Sequence, residues 1–290
     1  MSRAAALFIR RKRVNRSFMG SFSLFLFLAV AGVFMIVPLV YTVNNAFKPL
    51  DELFLFPPRL FVHRPTLDNF YDLSSLMSTS WVPFSRYLFN TLFITGAGIV
   101  GHVLLASAAA YPLAKLVFPG RKLLFSIVVL SLMFSAQVTA VPNYMIVSWM
   151  HLINTYAAVI VPAFAFPLGL YLMKQFMEQI PDAILEAAKI DGASEYRIFW
   201  TVVMPNVKPA WFTLIILLFQ MLWGTDGNGF IFNESLKPLH YALGQIAAGG
   251  IARSGVGAAV GLLLMAVPIV LFVLFQSRII ETMASSGMKD

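Results

Sequence analysis

Six stretches of this chain, about residues 18–43, 88–114, 123–147, 155–177, 210–232 and 256–280, are apolar and almost free of charge over more than twenty residues each. The hydrocarbon core of a bilayer is about 30 Å thick and takes roughly 20 helical residues to cross, whereas a barrel strand needs about ten. Lipid offers no partner to a backbone N–H or C=O, so a spanning segment must satisfy its own. Runs of this length select helices. The expected fold class is all-α, a polytopic membrane protein with six transmembrane helices.

Where the charges fall orients those helices. Of the 21 Lys and Arg, 15 lie in alternate connections and 6 in the others, the asymmetry of the positive-inside rule. The basic N-terminal segment 1–17, with Arg3, Arg10, Arg11, Lys12, Arg13 and Arg16, is expected in the cytoplasm, and so is the tail 281–290. It resembles the n-region of a signal peptide, but the apolar run from Phe18 reaches Val43, beyond an h-region of 7–15 residues. An uncleaved first span is expected. Residues 44–86 balance their charges, read as a polar outer loop, and place Trp81 and Tyr87 at the interface.

Composition excludes other classes. With 59% hydrophobic and 12% charged residues, against about 25% charged in soluble domains, no soluble core is expected. The net charge of +8 is accounted for by topology, and no nucleic-acid partner is expected. No Cys is present, so there is no disulfide, thiolate metal site or Cys nucleophile. No His-Glu-x-x-His run occurs, and neither catalytic residues nor a metal site are expected.

Within the spans, Gly96, Gly98, Gly101 and Ala106 to Ala110 mark the second as an interior helix that others approach closely. Pro142 is placed in the third span, and Pro162 and Pro167 are read as kinks in the fourth. Polar groups inside are few. His102 is read as a hydrogen bond to a neighbouring helix, and Gln137, Asn143, Tyr144 and Gln220 are candidates for a substrate path. No carboxylate lies well inside a span, which counts against the alternative of an ion-coupled secondary transporter or channel.

The longest charged connection is 181–209. Pro181 and Asp182 suit a helix start, and Ala183, Ala187 and Ile190 form one stripe with Ile184 and Ala188 beside it. Glu186 and Lys189 are spaced for an i,i+3 pair, and Gly192 suits the left-handed stop. Asp191 or Ser194 starts a second helix carrying Ile198, Phe199, Trp200 and Val203, before Pro205 and Pro209. The pattern fits either a hairpin resting on the membrane surface or an element that docks on a partner.

Glu186-Ala187-Ala188, then Asp191-Gly192-Ala193, Phe199 and Pro205 after Met204 resemble the EAA loop of the permeases of binding-protein-dependent ABC importers. That family more often has Leu where Met204 stands. Pro38-Leu39-Val40-Tyr41, Phe47-Lys48, Tyr87-Leu88-Phe89-Asn90-Thr91 and Phe275-Gln276-Ser277-Arg278 resemble the second, six-span permease of maltose-type sugar importers. Glu281 stands where those families more often have Gly, and Ile280-Glu281-Thr282-Met283-Ala284 resembles oligosaccharide systems, those for plant or algal polysaccharide fragments among them.

The resemblance implies a type I ABC importer permease fold in a bacterial inner membrane, with both termini cytoplasmic. It implies a coupling helix whose Glu186, Ala187, Ala188, Asp191, Gly192 and Pro205 meet one of two ATP-binding subunits. It implies as further partners a second homologous permease and an extracytoplasmic solute-binding protein. Trp223, Asp226, Asn228, Gly249 and Gly250, in or beside the Gly-rich segment 224–257, then become candidates for contact with that binding protein. The chain has no G-x-x-x-x-G-K-[ST] phosphate loop, so ATP and Mg belong to partner subunits and no cofactor to this one. A reporter fused at Ser194 is expected to read cytoplasmic and one at Asp68 extracytoplasmic; the reverse pattern overturns the orientation.

Overall fold

The computed structural model describes residues 18–286, and among them every regular element is helical. The basic segment 1–17 and residues 287–290 lie outside the described residues. Helix α1 (Phe18–Ala46) has 29 residues, about 43 Å at 1.5 Å per residue, longer than the lipid core is thick. It is apolar on all sides, with Phe25, Phe27, Phe34 and Met35 exposed, as expected of a helix that faces lipid or another subunit.

The loop expected on the outer side is more ordered than its composition foretells. It contains α2 (Leu50–Leu53) and α3 (Asp68–Ser78), and two of its charges are buried. Lys48 Nζ donates to Asn45 Oδ1 at 2.8 Å and to the Arg59 carbonyl at 2.5 Å. The Glu52 carboxylate accepts from the His63 and Arg64 amides at 2.9 and 3.3 Å. Burial pushes the Glu52 carboxyl up, but those two amides and the charges of His63 and Lys48 outweigh it and hold the carboxyl below its ordinary range.

Helix α4 (Phe84–Lys115) is the central element. Its small residues do what their density implies: a side chain at Gly98 would meet Leu222, and one at Gly101 the ring of Phe164, although Gly96 faces open space. The third span, expected to be continuous over 123–147, is instead two helices, α5 (Arg121–Ser131) and α6 (Ala136–Trp149), bent by 113°. Pro142 lies inside α6 and does not make the bend. The break falls at 132–135, where i→i+3 bonds from Leu132, Met133 and Phe134 close the end of α5 and the Ser131 hydroxyl competes for the Val128 carbonyl.

The fourth span divides at Pro167, into α7 (Ala157–Phe164) and α8 (Pro167–Glu178), whereas Pro162, also expected to kink it, lies inside α7. After it come α9 (Asp182–Ile190), α10 (Glu195–Ile198), a π turn over Phe199–Val203 and α11 (Met204–Asn206). The fifth span, expected over 210–232, is α12 (Lys208–Trp223), which meets the preceding helix at 74°. It stops at Gly224, because the following residues turn back through Gly227 and Gly229, both at positive φ, and seat Ile231 in the core. The chain ends in α13 (Leu239–Ala247) and α14 (Ser254–Ser286), and α14 lies along α1.

Among the described residues, four helices, including α7 and α8 taken together, are long and apolar enough to cross a membrane, and the two bent pairs bring the number to six. The segment after α12 is tied down by the start of α4. Asn90, fully buried, donates to the carbonyls of Ser235 and Lys237 at 2.9 and 2.8 Å and accepts from Tyr156 at 2.6 Å. Thr91 accepts the Leu239 amide at 2.7 Å, and Tyr87 donates to Glu234 at 2.5 Å. Tyr87 is therefore a buried clamp and not an interface ring, whereas Trp81 is almost fully exposed. Asn90→Leu strands two carbonyls and a phenol, and is expected to destabilise the purified protein by roughly 1–3 kcal/mol, read as a lower midpoint of thermal unfolding.

Candidate functional site

The hairpin α9–α11 connects α8 to α12 and is fastened to the helices on one side. Helix α9 ends at Gly192, whose φ of +77° is the left-handed geometry that glycine adopts without a Cβ clash. The Gly192 amide donates to Lys189 O and the Ala193 amide to Ala188 O, both at 3.0 Å. These are the two bonds of a Schellman stop, and Ala188 and Ala193 pack on the same core cluster beneath it. Of the two residues that could start the second helix, Ser194 does so; its hydroxyl accepts the Arg197 amide at 3.3 Å.

The expected Glu186–Lys189 pair does not form. Lys189 reaches across the Gly192 turn to Glu195 at 2.6 Å, and the other Glu195 oxygen accepts from the Tyr111 hydroxyl at 2.6 Å. One carboxylate thus joins α10 to both α9 and α4. Below it, Leu185, Ile198, Phe199 and Val203 are buried against Ala110, Tyr111, Ala114, Met173 and Met177.

The foot of the hairpin is held by cations. Lys115 Nζ donates to the Ile180 carbonyl at 2.5 Å and to Asp182 at 2.7 Å. Its hydrogen bond, and then its charge, hold the Asp182 carboxyl below the ordinary range. Arg121 donates to the carbonyls of Leu113, Ala114 and Leu116 and so closes the C-terminal end of α4. The π turn lies where Pro205, which has no N–H, cannot continue the ladder to Thr201; Met204 bonds to the Phe199 carbonyl, five residues back.

What this fastening leaves open is the stripe read in the sequence. Ala183, Ile184, Glu186, Ala187, Ile190, Asp191 and Gly192 are exposed, Ile190 to 87%, while Leu185 points inward. Pro205 is exposed at the far end of the hairpin and Ala188 is half-buried. The outward face is small and aliphatic with a carboxylate at its edge.

The other candidates are dispersed. Gln137 and Tyr144, two turns apart on one face of α6, are exposed; Asn143 is half-buried, and Gln220 is exposed on α12. Trp223 is buried, its indole N–H donating to the Leu264 carbonyl at 3.3 Å and its ring stacked on Phe219, so it packs helices and presents no face outward. Asp226 is half-buried and accepts the Asn228 amide at 2.9 Å, and Asn228 accepts from Lys237 at 3.0 Å. Gly249 and Gly250 are exposed beyond α13. Composition hides the anchors Asn90, Thr91 and Glu195, and Asn154, whose side-chain oxygen accepts the Phe232 and Asn233 amides at 3.0 and 2.7 Å, because a single polar residue carries no periodic signal.

Comparison with known proteins gives these features a setting. Residues 102–284 match the family model described as the inner membrane component of binding-protein-dependent transport systems. Protein LplC of Bacillus subtilis is 32% identical over 228 residues, covering 76% of this chain and 73% of that protein. The arabinooligosaccharides transport system permease protein AraQ of Halalkalibacterium halodurans is 31% identical over 199 residues, covering 67% of each. A chain in the crystal structure of a bacterial ABC transporter that imports the acidic polysaccharide alginate superposes with a TM-score of 0.76 at 20% identity, covering 91% of this chain and 99% of that one. If the foot of the hairpin is fixed as described, Lys115→Met should release it: protease cleavage within 179–195 of the purified protein is expected to accelerate severalfold, while α4 stays protected.

Proposed function

This chain belongs to the inner membrane components of binding-protein-dependent transport systems, a multi-pass permease family, and from that membership we propose that it forms half of the path of an ABC importer for a sugar or oligosaccharide. The observation that carries the mechanism is the outward stripe of α9. Its fixing interactions all lie on the inner face, through Leu185, Lys189, Glu195 and Lys115, and its small outer face is free. A rigid element with a free, closely approachable surface is what passes a displacement from one subunit to another.

In this reading Glu186, Ala187, Ala188, Asp191 and Gly192 seat in a cleft of an ATP-binding subunit on the cytoplasmic side, and Pro205 closes the hairpin. Two such subunits approaching each other around ATP draw the hairpins of two permeases together and turn the assembly outward. The ligand sits on a partner and biases a two-state element here, and the coupling is reciprocal. ATP and Mg are held by the partners, and this permease is a non-enzymatic component. Family membership removes the ion-coupled alternative.

The transport path needs a second chain. Gln137, Tyr144 and Gln220 are open on this one, so a homologous permease would supply the facing wall. Contact with a solute-binding protein falls to the outer segment, where Asn228, Gly249 and Gly250 are exposed and Asp226 shapes the turn; the buried Trp223 supports that segment from beneath. The likeness to permeases for arabinooligosaccharides and alginate supports an oligosaccharide as cargo. In the assembled complex, Gly192→Trp or Glu186→Lys is expected to abolish uptake and binding-protein-stimulated ATP hydrolysis together. Retention of both would refute the docking role.

A further inference from the structure

The span formed by α7 and α8 is interrupted at Ala165 and Phe166, deep within its length. Pro167 has no N–H to offer the Ala163 carbonyl, and the α7 ladder ends at Phe164. Away from water, the released carbonyls need partners. His102 stands opposite the break on α4, only 1% exposed, with Nδ1 3.0 Å from the Phe164 oxygen. A carbonyl can only accept, so the nitrogen facing it carries the proton.

The other imidazole nitrogen, Nε2, is buried without a hydrogen-bond partner among the described residues and abuts Gly169 in the first turn of α8, where a Cβ would collide with it. One residue before His102, Gly101 receives the ring of Phe164 in the same way. Two rings, one from each side, are therefore seated on glycines of the opposite helix across the break. Beside His102 lies a cavity of about 280 Å³ bordered by Leu105, Val128, Ser131 and Leu170. The bond to Phe164 fixes the orientation of the ring beside that space.

The two halves of the broken span belong to different cores. Met173 and Met177 of α8 pack with the hairpin residues Leu185, Ile198 and Val203, whereas Ile160 and Ala163 of α7 pack with Ile94, Leu222 and Ile231. We propose that His102 is a positioning residue for transport: through Phe164 it locks the joint between these halves, so that movement of the hairpin reaches α7 instead of being absorbed at the break. This rests on the coupling role of the hairpin. His102 touches neither the hairpin nor any residue assigned to the path.

The test uses the assembled complex in lipid, measuring ATP hydrolysis with and without the cognate solute-binding protein as purified. His102→Leu keeps the volume and loses the donor; basal hydrolysis is expected to persist and stimulation by the binding protein to fall about tenfold, the scale of one lost buried hydrogen bond. His102→Asn, which can donate to Phe164, is expected to restore it. Gly169→Ala, which displaces the ring, should match His102→Leu, and His102→Ala combined with Gly169→Ala should relieve the collision without restoring stimulation. Full stimulation in His102→Leu, or no advantage of Asn over Leu, overturns the proposal, while loss of stimulation in Gly192→Trp alone would leave the coupling reading standing. Should the variants fail to assemble, ¹⁵N-histidine spectra of the unaltered protein decide: an Nδ1-protonated tautomer at His102 is required, and an Nε2-protonated one refutes it.

Discussion

A helix end leaves carbonyl oxygens without partners in its own ladder, and several of those in this protein lie in buried or part-buried surroundings. The structure depends on how those oxygens are met. Arg121 meets three at the end of α4, Lys115 meets those of Glu178 and Ile180, and Asn69 meets those of Ala46 and Lys48. Asn90 meets Ser235 and Lys237, and His102 meets Phe164. In each case the side chain comes from a distant or turned part of the chain, so satisfying the backbone also fixes the tertiary arrangement. An unmet buried group costs about 1–3 kcal/mol, enough to make these few polar residues decisive among so many apolar ones.

The features legible in the sequence are those with a repeating or local signature. Apolar length marked the candidate spans, Pro167 divides the fourth, Gly192 stops α9, and Ala183, Ala187 and Ile190 share one face as their spacing requires, a face the fold leaves exposed. Of the residues matching the EAA loop, Glu186, Ala187, Asp191 and Gly192 are exposed together at the end of α9, Ala188 and Ala193 are half-buried, Phe199 is buried, and Pro205 is exposed at the far end of the hairpin. What stayed hidden depends on contacts made across the fold. No proline or glycine marks the break at 132–135, and nothing local announces that Lys189 turns to Glu195 in place of Glu186. Trp223 sits where a span would meet the interface, yet the chain returning over it buries the ring.

Basic residues illustrate how one signal carries two meanings. Lys115 and Arg121 enter the sequence argument as counters of orientation, because cations resist translocation. In the folded protein they are the bolts at the foot of the hairpin and the end of α4. The same logic applies to Lys48 and Lys237, which lie in the expected outer connections and are buried with their ammonium groups on oxygen acceptors and over the rings of Tyr41 and Tyr241. In these two lysines the charge has a structural role.

Helix α1 carries a consequence for assembly in time. The element along which it packs is α14, made more than two hundred residues after it. During synthesis α1 must therefore reside in lipid while the rest of the chain, more than two hundred residues, is produced. Its uniformly apolar surface makes that wait harmless, since no face demands a protein neighbour. Closure of the bundle by α14 is then a late event of high sequence separation, and the slow step of folding is expected to lie there rather than in the compact core around α4.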